Sequence, residues 1–189
     1  MKKHHPQASK SGCALLFADN FDIRRNGNNP PPVSSFLEKD EKMKENLLIS
    51  ACLLGIPCRY DGKSVSRIDV QSLARKYNLI PICPEIYGGL PTPRTPSERV
   101  GERVLMRDGS DVTENFARGA LAALEIAEAN GCKKALLKER SPSCGKGKIY
   151  DGTFSGALTD GNGVAADLLI SHGILVYGEG ELENLLSDT

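Results

Sequence analysis

Three short apolar runs, each leading into a loop that carries a cysteine, constrain this chain more than any other feature. The first is Asn46-Leu47-Leu48-Ile49, followed by Ser50-Ala51-Cys52-Leu53-Leu54-Gly55-Ile56-Pro57-Cys58-Arg59-Tyr60-Asp61-Gly62. The second, Leu79-Ile80-Pro81-Ile82, runs into Cys83-Pro84-Glu85. The third, Lys133-Lys134-Ala135-Leu136-Leu137-Lys138, runs into Glu139-Arg140-Ser141-Pro142-Ser143-Cys144-Gly145. Short, continuously apolar segments bounded by glycine and proline suit strands buried in a parallel sheet. In such sheets ligands bind outside the carboxyl ends of the strands. Neighbouring strands are about 4.8 Å apart, so thiols from adjacent strand ends can converge on one centre.

Helical patterns separate these runs. Val70, Leu73, Ala74 and Tyr77 fall at i, i+3, i+4 and i+7, which predicts an amphipathic helix over 66–77 ended by Asn78 in the left-handed conformation. Pro81 is awkward in a central strand and is expected near its strand's start. A long loop over 86–110, rich in glycine and proline at first, includes a short hairpin over 100–106. Asp111 with Glu114 resembles a capping box opening a helix. Phe116, Ala120, Leu121, Leu124 and Ala127 form its apolar face, and Gly131 stops it. A last helix over 164–172, a strand over 174–177 and a helical tail over 181–186 complete the alternation. The expected fold is α/β: one three-layer domain, a small parallel sheet of about four strands, and helices on both faces.

That domain is expected over 43–189. Residues 1–42 hold a polyproline run, a charged patch and the pair Arg24-Arg25, but no periodic apolar face. Disorder is the expected state there, with Met43 as an alternative start. His4, His5 and Cys13 in that extension are left without a functional role.

Lys and Arg number 24 and Asp and Glu number 24, so the formal net charge is zero. That balance excludes a general nucleic-acid binder, which needs a basic surplus. No apolar run approaches the ~18 residues of a membrane span, and the patch at 13–18 is too short for a secretory signal. The chain therefore reads as cytoplasmic, where thiols stay reduced. Any one of Cys52, Cys58, Cys83 or Cys144 taken alone would read as a small buried hydrophobe. Cys52, Cys83 and Cys144, at equivalent places past three strand ends, read instead as metal ligands. Cys132, just past a helix, reads as structural. Thiolates suit zinc and iron–sulfur clusters, and three ligands would leave one coordination position open for catalysis.

Several motifs then occur in a specific order: Ser50-Ala51-Cys52-Leu53, Cys58-Arg59-Tyr60-Asp61-Gly62, Cys83-Pro84-Glu85, Gly88-Gly89-Leu90-Pro91-Thr92-Pro93-Arg94, Ser141-Pro142-Ser143-Cys144-Gly145 and Tyr150-Asp151-Gly152-Thr153-Phe154-Ser155-Gly156. Together they resemble the 2-thiouracil desulfurase family, over about residues 44–186. The resemblance implies a [4Fe–4S] cluster held by three cysteines, with a fourth iron free for the substrate's sulfur. Carried over residue by residue, the ligands are Cys52, Cys83 and Cys144, with Cys58 as an additional ligand or a neighbouring thiol. The implied reaction is redox-neutral desulfuration of a thiolated pyrimidine such as 2-thiouracil, giving uracil and sulfide. An open iron polarises the C=S bond as a Lewis acid polarises a carbonyl, and water adds to the carbon.

That water needs a base or a hydrogen-bonding guide. Glu85, Ser141 and Ser143 are the candidates, although turn formation also explains the serines. Arg59, Asp61, Arg94 and Phe154 are candidate substrate contacts: arginine for a uracil-like carbonyl or anion, Phe154 or Tyr150 for stacking on a planar base. Asp61 equally reads as a turn residue before Gly62. Two other readings stay open. One is desulfuration of thiolated nucleosides or transfer RNA. The other is a zinc- or cluster-stabilised binding module without turnover. The expected partner is a small thiolated base, and self-association as a homodimer stays open.

Overall fold

The structure is a computed structural model that describes residues 44–65 and 68–188. The extension expected over 1–42, with His4, His5, Cys13 and the alternative start at Met43, lies outside the described residues.

Strands and helices alternate as β1 (Glu45–Ser50), α1 (Val70–Lys76), β2 (Tyr77–Ile82), α2 (Pro84–Tyr87), the hairpin β3 (Ser97–Val100) and β4 (Arg103–Met106), α3 (Thr113–Ala129), β5 (Lys134–Leu137), the hairpin β6 (Lys148–Tyr150) and β7 (Leu158–Asp160), α4 (Val164–Ser171), β8 (Leu175–Gly178) and α5 (Leu182–Ser187). The main sheet has the order β2-β1-β5-β8, and every pair in it is parallel. Two apolar clusters sandwich it. Ala123, Leu124 and Ala127 of α3 and Ala166 and Leu169 of α4 pack with Leu48, Ala135 and Leu137 on one face. Leu73 of α1 and Leu185 of α5 pack with Leu47, Ile49 and Leu136 on the other. Alternate residues of a strand point to opposite faces, and β1 supplies both clusters from successive positions. The fold is therefore the expected three-layer α/β domain with a four-stranded parallel sheet.

Several local expectations are corrected. Asn78 does not end α1 in a left-handed turn: Tyr77 is already extended (φ −125°, ψ 154°) and opens β2. Pro81 is not near the start of its strand but fifth in it, opposite Ile49. It is tolerated because β2 is an edge strand, where a missing N–H costs no ladder bond. Asp111 helps to open α3 by accepting from Thr113 N at 2.9 Å, but the N-cap is Val112 and no side-chain cap bond closes a box with Glu114. Leu121 is 51% exposed and lies off the apolar face, which Ala123 completes instead. The short helix α2, directly after Cys83, escaped the periodic reading because one turn shows no period.

Candidate metal centre

The sheet order puts β1 between β2 and β5, so the ends that carry the three expected ligands are neighbours. Cys52 sits in the 3-10 turn Ala51–Leu54 immediately after β1. Cys83 is the first residue past β2 and caps α2, with Pro84 at the first helical position, where its missing N–H goes unnoticed. Cys144 lies in the turn after β5. Cys52, Cys58 and Cys144 are buried, Cys83 is half-buried, and all four are free thiols. Cys132, also buried, packs in the core beneath α3 and α4, as a structural cysteine should.

The thiols perturb one another. The Cys83 thiol donates to the Cys58 carbonyl, with Sγ to O at 3.8 Å. Contact with the Cys52 thiol, reinforced by burial and offset by Cys83, pushes Cys58 up to about 11. Contact with Cys58, then burial, holds the Cys83 thiol far above its ordinary range. Burial pushes Cys144 up to about 12, helped by the charges of Glu85 and Cys83 and opposed by the nearby Ser50 and Ser143 hydroxyls. Cys58 is thus the neighbour of both Cys52 and Cys83.

Glu85 is the polar centre of this group. Its Oε2 accepts from Arg94 Nε at 3.0 Å and forms an ion pair with Arg94 Nη2. Its Oε1 accepts from Ser141 Oγ at 3.4 Å. The Arg94 guanidinium is only 3% exposed. Its Nη1 also donates to Cys58 O at 3.4 Å, Pro91 O at 3.1 Å and Thr92 Oγ1 at 3.1 Å. The arginine expected to meet the substrate is thus engaged by the protein, and it braces the Cys58 loop against the Cys83 helix. A lysine could not do this, because the brace uses the planar fork of a guanidinium.

Ser141 Oγ accepts from the backbone N–H groups of Ser143 (3.1 Å) and Cys144 (3.2 Å). With its lone pairs taken, its own proton is directed at Glu85. Ser143 is wholly buried, and its Oγ has no hydrogen-bond partner among the described residues. The first N–H groups of α4 reach back to this turn: Val164 N donates to Pro142 O, and Ala165 N to Ser143 O, each at 2.9 Å. Gly163 is required for that approach, because a Cβ there would lie 2.3 Å from Ser143 C. A second glycine seats the Cys83 side: a Cβ on Gly119 of α3 would lie 1.9 Å from Pro84 O.

The other expected contacts are placed as follows. Arg59 and Asp61 pair with each other at 3.2 Å, and Asp61 also accepts from Lys63 N at 3.1 Å, which makes it a turn residue. Phe154 adopts φ 57°, and its N–H donates to the buried Glu98 carboxylate at 2.9 Å. Its ring lies 5.7 Å below Arg107, so its neighbours belong to the β3–β4 region. Tyr150 ends β6 and is half-buried. Ser50, the last residue of β1, was missed from sequence as a tie between β1 and the chain past β5, where its Oγ accepts from Lys138 N at 2.9 Å.

The donor set fits an iron–sulfur cluster. Cys52, Cys58 and Cys83 share one apolar cluster and Cys144 comes from the turn past the neighbouring strand, and Arg94, the buried cation beside Cys58, is already paired with Glu85. A metal deprotonates a thiol outright and supplies the positive charge that this pocket lacks. The orphaned Ser143 hydroxyl is a donor suited to sulfur. Among the described residues no group of three or more His, Cys, Asp or Glu closes as it would around a single ion. A cluster spreads its thiolates over separate irons and asks for wider spacing.

The sequence pattern of the 2-thiouracil desulfurase family matches residues 47–181, which spans all four thiols, Glu85, Arg94 and Ser141. This chain belongs to that family. A relative in Bacillus subtilis (strain 168), the uncharacterized protein YbbK, is 39% identical over 150 residues, covering 74% of this chain and 99% of its own length. A solved structure of TudS, described as a [4Fe–4S]-dependent thiouracil desulfidase, is 49% identical with a TM-score of 0.73, covering 75% of this chain and 95% of TudS. The family match ends before α5, which closes one face of the sheet in this protein.

Proposed function

We propose that this member of the desulfurase family is a [4Fe–4S]-dependent desulfidase that converts a free thiolated pyrimidine, such as 2-thiouracil, and water into uracil and sulfide. The observation that carries this reading is the placement of Glu85, in the first turn past Cys83, held by Arg94 and bonded by Ser141 of the turn that carries Cys144. Cys52, Cys83 and Cys144 hold the cluster, and Cys58 is the thiol beside it. When bound, the cluster supplies a Lewis-acidic iron that draws electron density from the C=S bond.

The chain's own groups manage the water and its protons. Glu85 Oε1 takes a proton from the water that adds to the thiocarbonyl carbon. Arg94 keeps that carboxylate oriented, and the Ser141 hydroxyl guides the water or returns a proton. The proton taken up by Glu85 goes on to the departing sulfur as the C–S bond breaks, and the added hydroxyl gives its remaining proton to solvent as C=O forms, so hydrogensulfide and a proton leave. One water is consumed, one C=S bond becomes C=O, and no electron changes hands. The balanced charge supports a small substrate over transfer RNA. The five described cysteines are all free, which supports a reducing, cytoplasmic setting. Among the described residues no helix is long and apolar enough to cross a membrane.

The test is anaerobic reconstitution followed by iron and sulfide analysis and an assay of sulfide release from 2-thiouracil. The expected result is a brown protein with about four irons that releases sulfide without added reductant. A colourless protein carrying zinc, with no turnover, would replace this reading with the binding module. Release only from thiolated transfer RNA would move the substrate class.

A further inference from the structure

Glu85 and Ser141 reach each other from different elements, one from α2 and the other from the turn that carries Cys144. Their bond is long, at 3.4 Å, near the limit of hydrogen-bond reach. Whatever fixes α2 relative to that turn decides whether the two groups meet. Arg94 ties the Glu85 carboxylate to the Cys58 loop, not to the Cys144 turn. The link toward Ser141 runs through α3 and α4. The carbonyl of Gly88, which ends α2, accepts two side-chain donors from α3: Asn115 Nδ2 at 2.8 Å and Arg118 Nη2 at 3.0 Å. Three positions apart on a helix, these residues share a face and close on one oxygen as a fork. The backbones beneath the fork are in contact, since a Cβ on Gly88 would lie 2.0 Å from Asn115 O. Farther along α3, Ala123, Leu124 and Ala127 share a core with Ala166 and Leu169 of α4. The first N–H groups of α4 in turn grip the carbonyls of Pro142 and Ser143, beside Ser141.

We propose that Asn115 and Arg118 are positioning residues for Glu85: by clamping Gly88 O to α3, they hold α2 where the Glu85 carboxylate meets Ser141. The proposal rests on the desulfidase reading above, in which Glu85 takes the proton of the attacking water. Both side chains act at a distance, because their bonds to α2 go to Gly88 O and not to the carboxylate. Arg118 is an exposed residue, so its truncation should cost the fold little. Without the fork, α2 keeps its tie to the Cys58 loop but loses the one that sets it against the Ser141 turn. A misplacement of about 1 Å, caused far from the chemistry, is worth about 10²-fold in rate.

The experiment is a mutant cycle on the anaerobically reconstituted full chain, with sulfide release from 2-thiouracil as the rate. It compares the natural protein with Asn115→Ala, Arg118→Ala, the two combined, and Arg118→Lys, and repeats the combined variant in a Glu85→Gln background. Bound iron and a urea melt of each apo form are measured in parallel. The expected result is that the combined variant loads iron like the natural protein, keeps its KM and loses about 10²-fold in kcat. Arg118→Lys, which keeps a donor for Gly88 O, should lose less than Arg118→Ala. In the Glu85→Gln background the combined variant should cost nothing further, because residues that act through one group are not additive with it. An unchanged kcat would overturn the proposal, as would a loss confined to KM or an equal loss in both backgrounds. A combined variant that binds less iron, or whose apo form no longer folds, would overturn it too, because the fork would then serve Cys83 or the fold. A natural protein that binds no cluster and releases no sulfide would instead overturn the desulfidase reading itself, so the two failures are distinct.

Discussion

The turn that carries Cys144 and the loop that carries Cys52 and Cys58 hold their thiols in opposite ways. The Cys144 turn is built from the backbone outward. Ser141 Oγ ties two of its N–H groups, α4 donates into its carbonyls, and Gly163 presses against its peptide plane. The Cys52–Cys58 loop closes on its own backbone, through Ile56 N to Ala51 O and Val65 N to Cys52 O, with no helix end docked into it. Its 3-10 turn ends at Gly55 (φ 89°), Ile56 is 44% exposed, and no atom lies within 4 Å of a Cβ built on Gly55. It is steadied from outside, by Arg94 Nη1 on Cys58 O and Arg94 N on Tyr60 O at 2.8 Å. One thiol is thus fixed by a docked helix, and the other pair by its own turn and one buried side chain. Supporting groups of this kind decide whether a site is held tightly enough to work.

The largest effect should separate ligands from bystanders on both sides. Cys52→Ala, Cys83→Ala and Cys144→Ala are each expected to lose the cluster, read as bound iron after anaerobic reconstitution. Cys58→Ala should retain it at lower occupancy, and Cys132→Ala should load like the natural protein. A fully loaded, active Cys83→Ala protein would break the ligand set. Glu85→Gln should keep the cluster and slow sulfide release by about 10²–10⁴-fold, the usual worth of a positioned acid–base group. Unchanged turnover would remove Glu85 from the proton path.

The next effects sharpen the contrast between the two loops. Gly163→Ala places a methyl 2.3 Å from the backbone of Ser143, so overpacking should cost the apo fold about 1–3 kcal/mol in a urea melt. Gly55→Ala meets no atom, and should cost only the left-handed strain of about 1–2 kcal/mol. Equal losses at both positions would erase the distinction between a scaffold-held turn and a braced loop. Arg94→Lys keeps the charge but not the fork, and leaves buried acceptors unpaired, so its apo stability should fall by about 1 kcal/mol while iron retention under a chelator challenge weakens. Retention equal to the natural protein would show that Arg94 is not the brace.

Much of the architecture was legible because it rests on local pattern. The apolar runs of β1 and β5, the helical spacing around Leu124 and the stop at Gly131 each depend on residues a few positions apart. What failed from sequence was local in a different sense. Tyr77 completes the i+7 spacing of α1 and yet opens β2, because pairing with Glu45 on β1 overrides the helical pattern. Among site residues, the types and places of Cys52, Cys83, Cys144, Glu85 and Ser141 were legible as motifs past strand ends. The brace role of Arg94 was not, because its partners come from Glu85, Cys58, Pro91 and Thr92, which converge only in the folded chain.

The order of strands and helices, and the arrival of a thiol just past three strand ends, followed from the amino-acid sequence alone, since periodicity and turn chemistry act over a few residues. Only the tertiary structure decided that β1 lies between β2 and β5, that Leu48 and Cys144 share one face while Cys52 and Cys58 share the other, and that one buried arginine joins two loops. Those outcomes depend on pairing register between segments far apart in the chain. In a sheet, a shift of one residue turns every side chain to the opposite face.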